Sequence, residues 1–383
     1  MEKKKIESVR QLPVMPLTIE DMTWNKTGTW RLLTPEAQDK TPPCQAACPI
    51  GQPTADFIQA VLARDWNRAL ELLLEANPLP GVTGRLCYHP CQARCLRKEL
   101  DGPVSIQELE KAVADLGKTP EVAKAAPTGR KVAVCGAGPA GLTASYHLSL
   151  QGCEVSVFDP GEQPGGFLKD VSAEKLPPEV LDREISRLAA IGGIRFRMKA
   201  VSLDAGEYDL TIVDRTAYQP ESEEARAVEA MMCGEGPRLD IETPKGSSSF
   251  KAANVAHAVA LGRRIASEAL RRLGMNSGDI NQSKGRVVTK EDIKFHRLPD
   301  KTSAGSLAQA ENTVDEEAVL EAGRCMSCGT CNLCQSCVLG CPDACCRLDE
   351  TEGKIVIDLY HCKGCGICAY ECSRGVLIME NLA

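Results

Sequence analysis

Two runs of closely spaced cysteines near the C-terminus constrain this chain more than any other feature. Both runs have the spacing C-x2-C-x2-C-x3-C. Their members are Cys331, Cys334, Cys337 and Cys341 in the first run and Cys362, Cys365, Cys368 and Cys372 in the second. Three thiolates on one tight turn can bind three corners of an iron–sulfur cubane, whose fourth ligand then comes from elsewhere in the chain. Structural zinc also uses CxxC pairs, but two tandem runs of this spacing favour iron–sulfur clusters.

This arrangement resembles that of bacterial two-cluster ferredoxins, in which the fourth cysteine of each run serves the other cluster. The resemblance implies a first cluster bound by Cys331, Cys334, Cys337 and Cys372. It implies a second cluster bound by Cys362, Cys365, Cys368 and Cys341. We therefore predict a ferredoxin domain with two [4Fe-4S] clusters over residues 325–383.

The composition limits where such a chain can work. Its 383 residues are enough for two or three domains, and its net charge of −7 gives no indication of a nucleic-acid partner. Twenty cysteines in clustered CxxC spacing favour metal binding in a reducing cytosol over disulfides. We see no signal peptide and no apolar run near the ~18 residues of a membrane helix. We therefore predict a cytoplasmic protein without direct membrane insertion, and attachment to a membrane partner stays open.

A second group of cysteines lies in the N-terminal third of the chain. Residues 1–43 are polar and punctuated by prolines, which predicts an extended arm. Apolar periodicity then predicts helices over 55–64 and 66–75, and a capping box of Ser105 and Glu108 predicts the start of a third helix. Five cysteines accompany these helices: Cys44, Cys48, Cys87, Cys91 and Cys95. Five are too few for two cubanes and too many for one.

Residues 44–117 resemble the N-terminal iron–sulfur domain shared by the glutamate synthase small subunit and dihydropyrimidine dehydrogenase. The motifs that carry the resemblance are CQAACP, NPLPGVTGRLC, PCQARC and PVSIQELE. The resemblance implies two [4Fe-4S] clusters and one non-cysteine ligand on the helix after the last cysteines, which falls on Glu110. Spacing alone is equally compatible with a solvent-facing Glu110.

One ligand pair of that family is missing from its usual place. The family has a further CxxC upstream of the first group, but here no cysteine precedes Cys44. A surplus pair, Cys325 and Cys328, stands directly before the ferredoxin runs instead. Our hypothesis is that the pair has been relocated. The third cluster would then be bound by Cys44, Cys95, Cys325 and Cys328, and the fourth by Cys48, Cys87, Cys91 and Glu110.

Counting supports this hypothesis. Fifteen of the twenty cysteines, together with Glu110, supply the sixteen ligands that four clusters need. Five cysteines are left over: Cys135, Cys153, Cys233, Cys345 and Cys346. The alternative is that Cys325 and Cys328 bind nothing and the third cluster is absent.

The middle of the chain carries a dinucleotide-binding pattern. An apolar strand at 131–135 leads into a GxGxxG motif, a helix over 139–151 and a second strand that ends at Asp159. In that context the glycines allow a tight turn and close approach to a pyrophosphate, and the acidic residue accepts from ribose hydroxyls. The predicted cofactor-binding residues are Gly136, Gly138, Pro139, Ala140, Gly141, Asp159, Gln163, Gly165, Gly166 and Leu168.

The cofactor predicted for this domain is FAD. The GG-x-L element at 165–168 resembles the flavin-side loop of the same glutamate synthase family, as does a closing helix over 255–273. The family's NAD(P)H module, with its own GxGxxG, is not found in 215–320; Gly234 and Gly236 do not complete the motif. Its usual Gly-Asp pair is also not evident in 243–254. A relict fold without cofactor therefore stays an alternative.

These observations predict an α+β multidomain protein. Its parts are an arm (1–43), a helical iron–sulfur domain with two clusters (44–127), a truncated FAD-type Rossmann domain (128–275), a linker (276–324) and the ferredoxin-like domain (325–383). We find no nucleophile with a base and no open zinc site, so we predict no catalytic residues. The predicted function is electron transfer between FAD, four [4Fe-4S] clusters and a partner catalytic subunit of an anaerobic hydrogenase, formate or aldehyde oxidoreductase, or diaphorase. The alternatives are a self-contained NAD(P)H- or substrate-oxidising flavoenzyme and a cluster-only wire or redox sensor.

Overall fold

The computed structural model describes residues 26–120, 124–218, 222–230, 232–233, 236–242, 254–276, 285–298 and 313–381. The described helices are α1 (Pro43–Ala47), α2 (Thr54–Leu62), α3 (Trp66–Leu74), α4 (Pro80–Leu86), α5 (Pro90–Ala93), α6 (Ile106–Leu116), α7 (Pro139–Leu150), α8 (Pro178–Ala190), α9 (Glu223–Ala230), α10 (Val255–Arg272), α11 (Val314–Gly323), α12 (Ser336–Leu339) and α13 (Ile367–Glu371). The described strands are β1 (Leu33–Ala37), β2 (Lys131–Cys135), β3 (Glu154–Asp159), β4 (Ile194–Met198), β5 (Leu203–Asp204), β6 (Leu210–Asp214), β7 (Met232–Cys233), β8 (Arg238–Ile241), β9 (Cys346–Asp349), β10 (Lys354–Ile357) and β11 (Leu377–Asn381).

The chain forms two compact units. The larger unit contains residues 39–332 and 373–375, and the smaller contains residues 1–38, 333–372 and 376–383. Several sequence predictions lie outside the described residues: most of the arm, the glycine at 234, nearly all of 243–254 and much of the linker. No helix within the described ranges is both long and apolar enough to cross a bilayer.

The first part of the larger unit is helical. The predicted helices coincide with α2, α3 and α6, whose apolar faces form one buried core that also contains Ala318 and Ala322 of α11. The predicted capping box at Ser105 is wrong, because the Ser105 side chain makes no capping hydrogen bond. The backbone N–H of Ser105 instead donates to Oε1 of Glu321 on α11, at 2.6 Å. That acceptor takes the place that Glu108 would have in a capping box.

The second part of the larger unit is a Rossmann-type layer structure. Five parallel strands follow the order β4-β3-β2-β6-β8, and α7 and α10 pack against each other on the sheet. Helix α7 is buried along nearly its whole length, which fits a sequence without Asp, Glu, Lys or Arg. The same apolar core includes Val82 and Leu86 of α4. The Rossmann-type sheet and the segment that carries the N-terminal cysteines therefore share one core.

A buried ion pair joins these two parts of the larger unit. Glu184 of α8 accepts hydrogen bonds from the Gly81 backbone N–H at 3.2 Å and from the Arg187 guanidinium at 2.8 Å. Both charged side chains are almost fully buried, at 0% and 3% exposure. The carboxylate therefore holds α4 against α8 while it compensates the buried charge of Arg187.

We expect Glu184→Ala to lower the free energy of unfolding by about 3–5 kcal/mol, because it leaves Arg187 buried without its partner. The measurement is the midpoint of denaturant unfolding followed by circular dichroism under anaerobic conditions. Glu179→Ala is the matched control, since Glu179 lies on the same helix and is exposed. The control should change stability by less than about 0.5 kcal/mol. Equal effects of the two substitutions would contradict this account of the ion pair.

The smaller unit is built from chain segments that are far apart in sequence. Strand β1 pairs antiparallel with β11, so that Leu33 lies opposite Asn381, and β9 pairs with β10 in a hairpin. The Gly28 N–H also donates to the Tyr360 carbonyl at 2.8 Å. Residues 27–37, which the sequence pattern assigned to the N-terminal arm, thus belong to the same unit as the C-terminal cysteines.

Candidate functional site

The relocated ligand set comes together in one cavity of the larger unit. All four of its members line that cavity: Cys44, Cys95, Cys325 and Cys328. Apolar side chains form the rest of its wall, among them Ile58, Val104 and Ile106. Burial and the neighbouring sulfur atoms of Cys325, Cys328 and Cys95 raise the pKa of Cys44 well above its usual range. The structure thus brings Cys325 and Cys328 together with Cys44 and Cys95 in one cavity. The binding of a cluster by these four thiols stays a prediction.

Helix α11 positions the surplus pair, Cys325 and Cys328, at this cavity. Its Ala318 and Ala322 pack into the helical core, and Cys325 follows directly after the helix. Arg324 fixes the end of α11 through an ion pair with Asp101 at 3.1 Å. Beyond it, Ser327 accepts a hydrogen bond from Gln59 at 2.9 Å. Contacts on both sides of Cys325 therefore fix its position.

The second N-terminal ligand set surrounds a buried carboxylate. Cys48, Cys87 and Cys91 all interact electrostatically with Glu110, and burial is the largest cause that raises the pKa of each of the three thiols. Glu110 lies on the inner face of α6 and is 3% exposed. The alternative of a solvent-facing Glu110 is therefore wrong, because the 3.6-residue repeat of α6 turns this position toward the core.

The two oxygens of Glu110 have different surroundings. Oε1 accepts hydrogen bonds from Gln52 at 3.0 Å, from Asn77 at 3.2 Å and from the Thr83 hydroxyl. Oε2 lies 3.8 Å from Nε2 of the buried His89. Among the residues that the structure describes, neither ring nitrogen of His89 has a hydrogen-bond partner. Three donors thus orient the carboxylate through one oxygen and leave the other as the atom that could bind iron.

In the smaller unit, the second ferredoxin set also lines one cavity. Its members are Cys341, Cys362, Cys365 and Cys368, and the surplus Cys345 and Cys346 lie beside them. The sulfur atoms receive hydrogen bonds from the Cys345 N–H to Cys341 at 3.2 Å and from the Gly364 N–H to Cys362 at 3.4 Å. The Cys346 thiol donates to Cys368 and lowers the pKa of Cys368 to about 7. Such hydrogen bonds to sulfur tune cluster potentials.

Three of the four members of the first ferredoxin set belong to the smaller unit. Cys337 and Cys372 pack in the apolar core of the smaller unit, and Cys334 is exposed there. Cys331 is an exposed residue of the larger unit. Within the described ranges, no three His, Cys, Asp or Glu side chains are grouped so that they could hold one metal ion. The thiolates of a cubane bind four different iron atoms and need not converge on one point.

The predicted dinucleotide residues contact their own chain. Gly136 has a left-handed φ of 103°, as a tight turn requires. A Cβ on Gly138 would lie 2.5 Å from Cα of Ala217, and one on Gly166 would lie 2.3 Å from the Ala217 carbonyl oxygen. The close approach that these glycines permit is thus to Ala217, in the loop after β6. Of the other predicted residues, Pro139, Ala140 and Leu168 are buried and Gln163 is exposed.

The two acidic residues at this site are also engaged internally. Asp159, predicted to accept from a ribose, accepts instead from the N–H groups of Ala137 at 2.6 Å and Gly161 at 2.8 Å and from the Tyr218 hydroxyl. Asp214 accepts from the Gly141 N–H at 2.8 Å. In the described residues, the space above the glycine loop is filled by the chain itself, so the groups present do not fit a bound dinucleotide.

Sequence reasoning missed three residues of these sites and one backbone feature. In the sequence, Asp214 is recognisable only as the last residue of the strand pattern at 208–214. No sequence pattern indicates that Ala217 belongs to the site. The left-handed φ of His89, 52°, is a backbone feature that no spacing rule predicts. Ligand counting leaves Cys346 as surplus, because counting does not identify hydrogen-bond donors to sulfur.

Comparison with known proteins identifies relatives of two segments. Residues 37–122 match the family model of dihydropyrimidine dehydrogenase domain II, which is described as a 4Fe-4S cluster domain. Residues 134–192 match the model of an NAD(P)-binding Rossmann-like domain. Apart from residues 37 and 38, both segments lie within the larger unit.

Curated relatives align with about two fifths of the chain. An NAD-dependent dihydropyrimidine dehydrogenase subunit PreT homolog of Salmonella typhi is 36% identical over 156 residues, which cover 39% of this chain and 38% of that protein. The NADP(+)-dependent formate dehydrogenase subunit beta of Moorella thermoacetica is 32% identical, covering 40% and 25%. The NADPH-Fe(3+) oxidoreductase subunit beta of Geobacter sulfurreducens is 31% identical, covering 40% and 24%.

The chain thus spans less than two fifths of the length of each of these three relatives. The resemblance predicted from CQAACP, PCQARC and the glycine motif is confirmed for these segments. The chain combines an iron–sulfur segment of the dihydropyrimidine dehydrogenase type with a Rossmann-like segment, as do subunits of several oxidoreductases.

Proposed function

We propose that this chain is an electron-transfer subunit of a larger oxidoreductase complex and carries electrons through four [4Fe-4S] clusters to or from a partner catalytic subunit. The third and fourth clusters use the relocated set and the Glu110 set described above. The two ferredoxin clusters use the ligands predicted from the cysteine runs. The cysteine content favours work in a reducing, cytosolic environment.

The observation that carries this proposal is the direct connection between the two N-terminal ligand sets. Cys44 and Cys48 stand at the two ends of α1, and the Cys48 N–H donates to the Cys44 carbonyl at 3.1 Å. One helical turn advances by about 5.4 Å. Cys91 and Cys95 connect the same two sets across four residues at α5. Two short links of this kind support neighbouring clusters between which an electron can pass.

The chain's own residues prepare these sites for electron transfer. When bound, a [4Fe-4S] cluster supplies reversible one-electron transfer. The apolar wall formed by Ile58, Val104 and Ile106 keeps water away from the relocated set. Glu110 adds a negative charge to the other set. Different surroundings are expected to give the clusters different potentials, as a chain of electron carriers needs.

The relatives support a partner subunit. Two of them are named as beta subunits, one of a formate dehydrogenase and one of an NADPH-Fe(3+) oxidoreductase. The proposed partner is accordingly a catalytic subunit of the hydrogenase, formate or aldehyde oxidoreductase, or diaphorase type. FAD is the two-electron cofactor that the sequence predicts. The contacts of Asp214 and Ala217 with the glycine loop instead favour electron transfer through the clusters alone.

Anaerobic reduction of the purified chain tests the proposal. We expect dithionite to bleach the visible absorbance of the clusters, whereas NADPH alone leaves it unchanged over minutes. Affinity purification of the chain from its own organism should yield a partner, and the complex should be reduced by the partner's substrate. Rapid bleaching by NADPH alone would favour the self-contained flavoenzyme. Clusters that no associated protein or substrate reduces would favour the redox sensor.

A further inference from the structure

The N-terminus of α7 already contacts an anionic side chain of the same protein. In dinucleotide-binding Rossmann domains the pyrophosphate lies at this helix end, where free N–H groups and the helix dipole favour negative charge. Here the Gly141 N–H donates to Oδ2 of Asp214 at 2.8 Å. Oδ1 of the same carboxylate accepts from the backbone N–H of Thr216 at 2.9 Å and from its hydroxyl at 2.6 Å.

The charge state of Asp214 agrees with this role. Its side chain is almost completely buried, and burial raises its pKa to about 6. The hydrogen bonds from Thr216 and Gly141 act in the opposite direction and favour the ionised form. Near neutral pH the group is therefore mostly a carboxylate, and it has the charge sign that the helix end favours.

The loop after β6 also fills the approach to the glycine motif. Ala217 lies against Gly138 on one side and Gly166 on the other. Its carbonyl accepts the Phe167 N–H at 2.8 Å, and the Gly165 N–H donates to the Ala137 carbonyl at 2.8 Å. Three segments of the chain are thus joined by backbone hydrogen bonds at the place where a pyrophosphate would pass.

We propose that the Rossmann-type part of this chain holds neither FAD nor NAD(P)H, because the Asp214 carboxylate replaces the cofactor phosphates at α7 and Ala217 closes the approach above Gly138. Its function is then structural. Its apolar core continues into Ile50, Val82 and Leu86, and Cys48 and Cys87 pack against that core. The sheet thereby supports two of the ligands in the Glu110 set.

The first experiment measures flavin directly. The full-length protein is purified anaerobically with its clusters, incubated with a tenfold excess of FAD, desalted and assayed for acid-released flavin. We expect less than about 0.1 FAD per chain, and no quenching of FAD fluorescence during titration. About one FAD per chain would overturn the proposal. The result is independent of the proposed electron-transfer function, which the reduction experiment tests separately.

The second experiment tests the carboxylate as a phosphate substitute. We expect Asp214→Ala to lower Tm and inorganic phosphate to raise the Tm of the variant by about 3 °C or more over chloride of equal ionic strength. The parent chain should show no such difference. Asp209→Ala is the matched control, because Asp209 also accepts a backbone N–H, that of Lys131, but at the start of a strand. It should not respond to phosphate.

Two outcomes would contradict the role of Asp214. One is a variant that phosphate does not stabilise; the other is an equal response of Asp209→Ala, which would indicate a general salt effect. If Asp214→Ala does not fold, Asp214→Asn keeps the shape and removes the charge. Burial and the neighbouring Asp159 carboxylate raise the pKa of Asp214, so the Tm of the parent should fall as pH rises from about 5 to 7, because such a carboxyl loses stability on ionisation. The Tm of Asp214→Asn should fall by less over this range, and its remaining decrease comes from the buried Glu184, whose pKa is raised to about 7 in both proteins. An equal decrease in the two proteins would contradict the role of Asp214.

Discussion

Replacing Cys325 and Cys328 together by alanine is expected to remove one [4Fe-4S] cluster and leave the other three in place. Both side chains line one cavity with Cys44 and Cys95, so the double substitution removes half of that ligand set. Iron content should fall from about sixteen to about twelve atoms per chain. Iron and acid-labile sulfide analysis of anaerobically reconstituted protein measures this directly, and the reduced protein should lose one electron-spin signal.

Cys153→Ala is the control for this experiment. Cys153 is also a buried thiol of the larger unit, but its sulfur lies 3.8 Å from that of Met275 and it belongs to none of the ligand sets. Its iron content should stay at the value of the parent chain. Unchanged iron in the double variant would refute the relocation of the ligand pair. An equal loss in the control would show that the double variant had lost iron through general destabilisation.

The relocated set could be predicted by counting ligands, because each [4Fe-4S] cluster needs four of them. The absence of a cysteine before Cys44 and the surplus at Cys325 are both visible in the sequence. Local periodicity likewise predicted α2, α3, α6 and the strand and helix of the glycine motif, since each repeats on a scale of a few residues. These features need no knowledge of how distant segments meet.

The features that sequence reasoning missed depend on distant segments. Strand β1 pairs with β11 across more than three hundred residues, and no pattern in residues 33–37 specifies that partner. Asp214 reaches Gly141 from 73 residues away. An intact GxGxxG motif predicts only that another group approaches the backbone closely at the glycines. Here that group is Ala217 of the same chain. In the predicted capping box, the distant Glu321 takes the Ser105 N–H that Glu108 would have bound.

Replacing Glu110 by alanine is expected to remove the fourth cluster and to destabilise the surrounding helices. The substitution deletes the one non-cysteine ligand predicted for that set. It also takes away the acceptor shared by Gln52, Asn77 and Thr83, and each buried donor left without a partner costs about 1–3 kcal/mol. We expect about four fewer iron atoms per chain and a lower Tm. Glu108→Ala is the control, since Glu108 lies on the same helix, is exposed and pairs with Lys111.

Glu110→Gln separates the ligand role from the hydrogen-bond role. Glutamine keeps an oxygen for the three donors but removes the negative charge, so the packing of α6 should survive. Adding an electron to a cluster is easier when its ligands carry less negative charge. We therefore expect the potential of this cluster to rise in a redox titration followed by electron spin resonance, with the other three unchanged. A Glu110→Gln protein with four clusters at their original potentials would show that Glu110 only organises hydrogen bonds and does not bind iron.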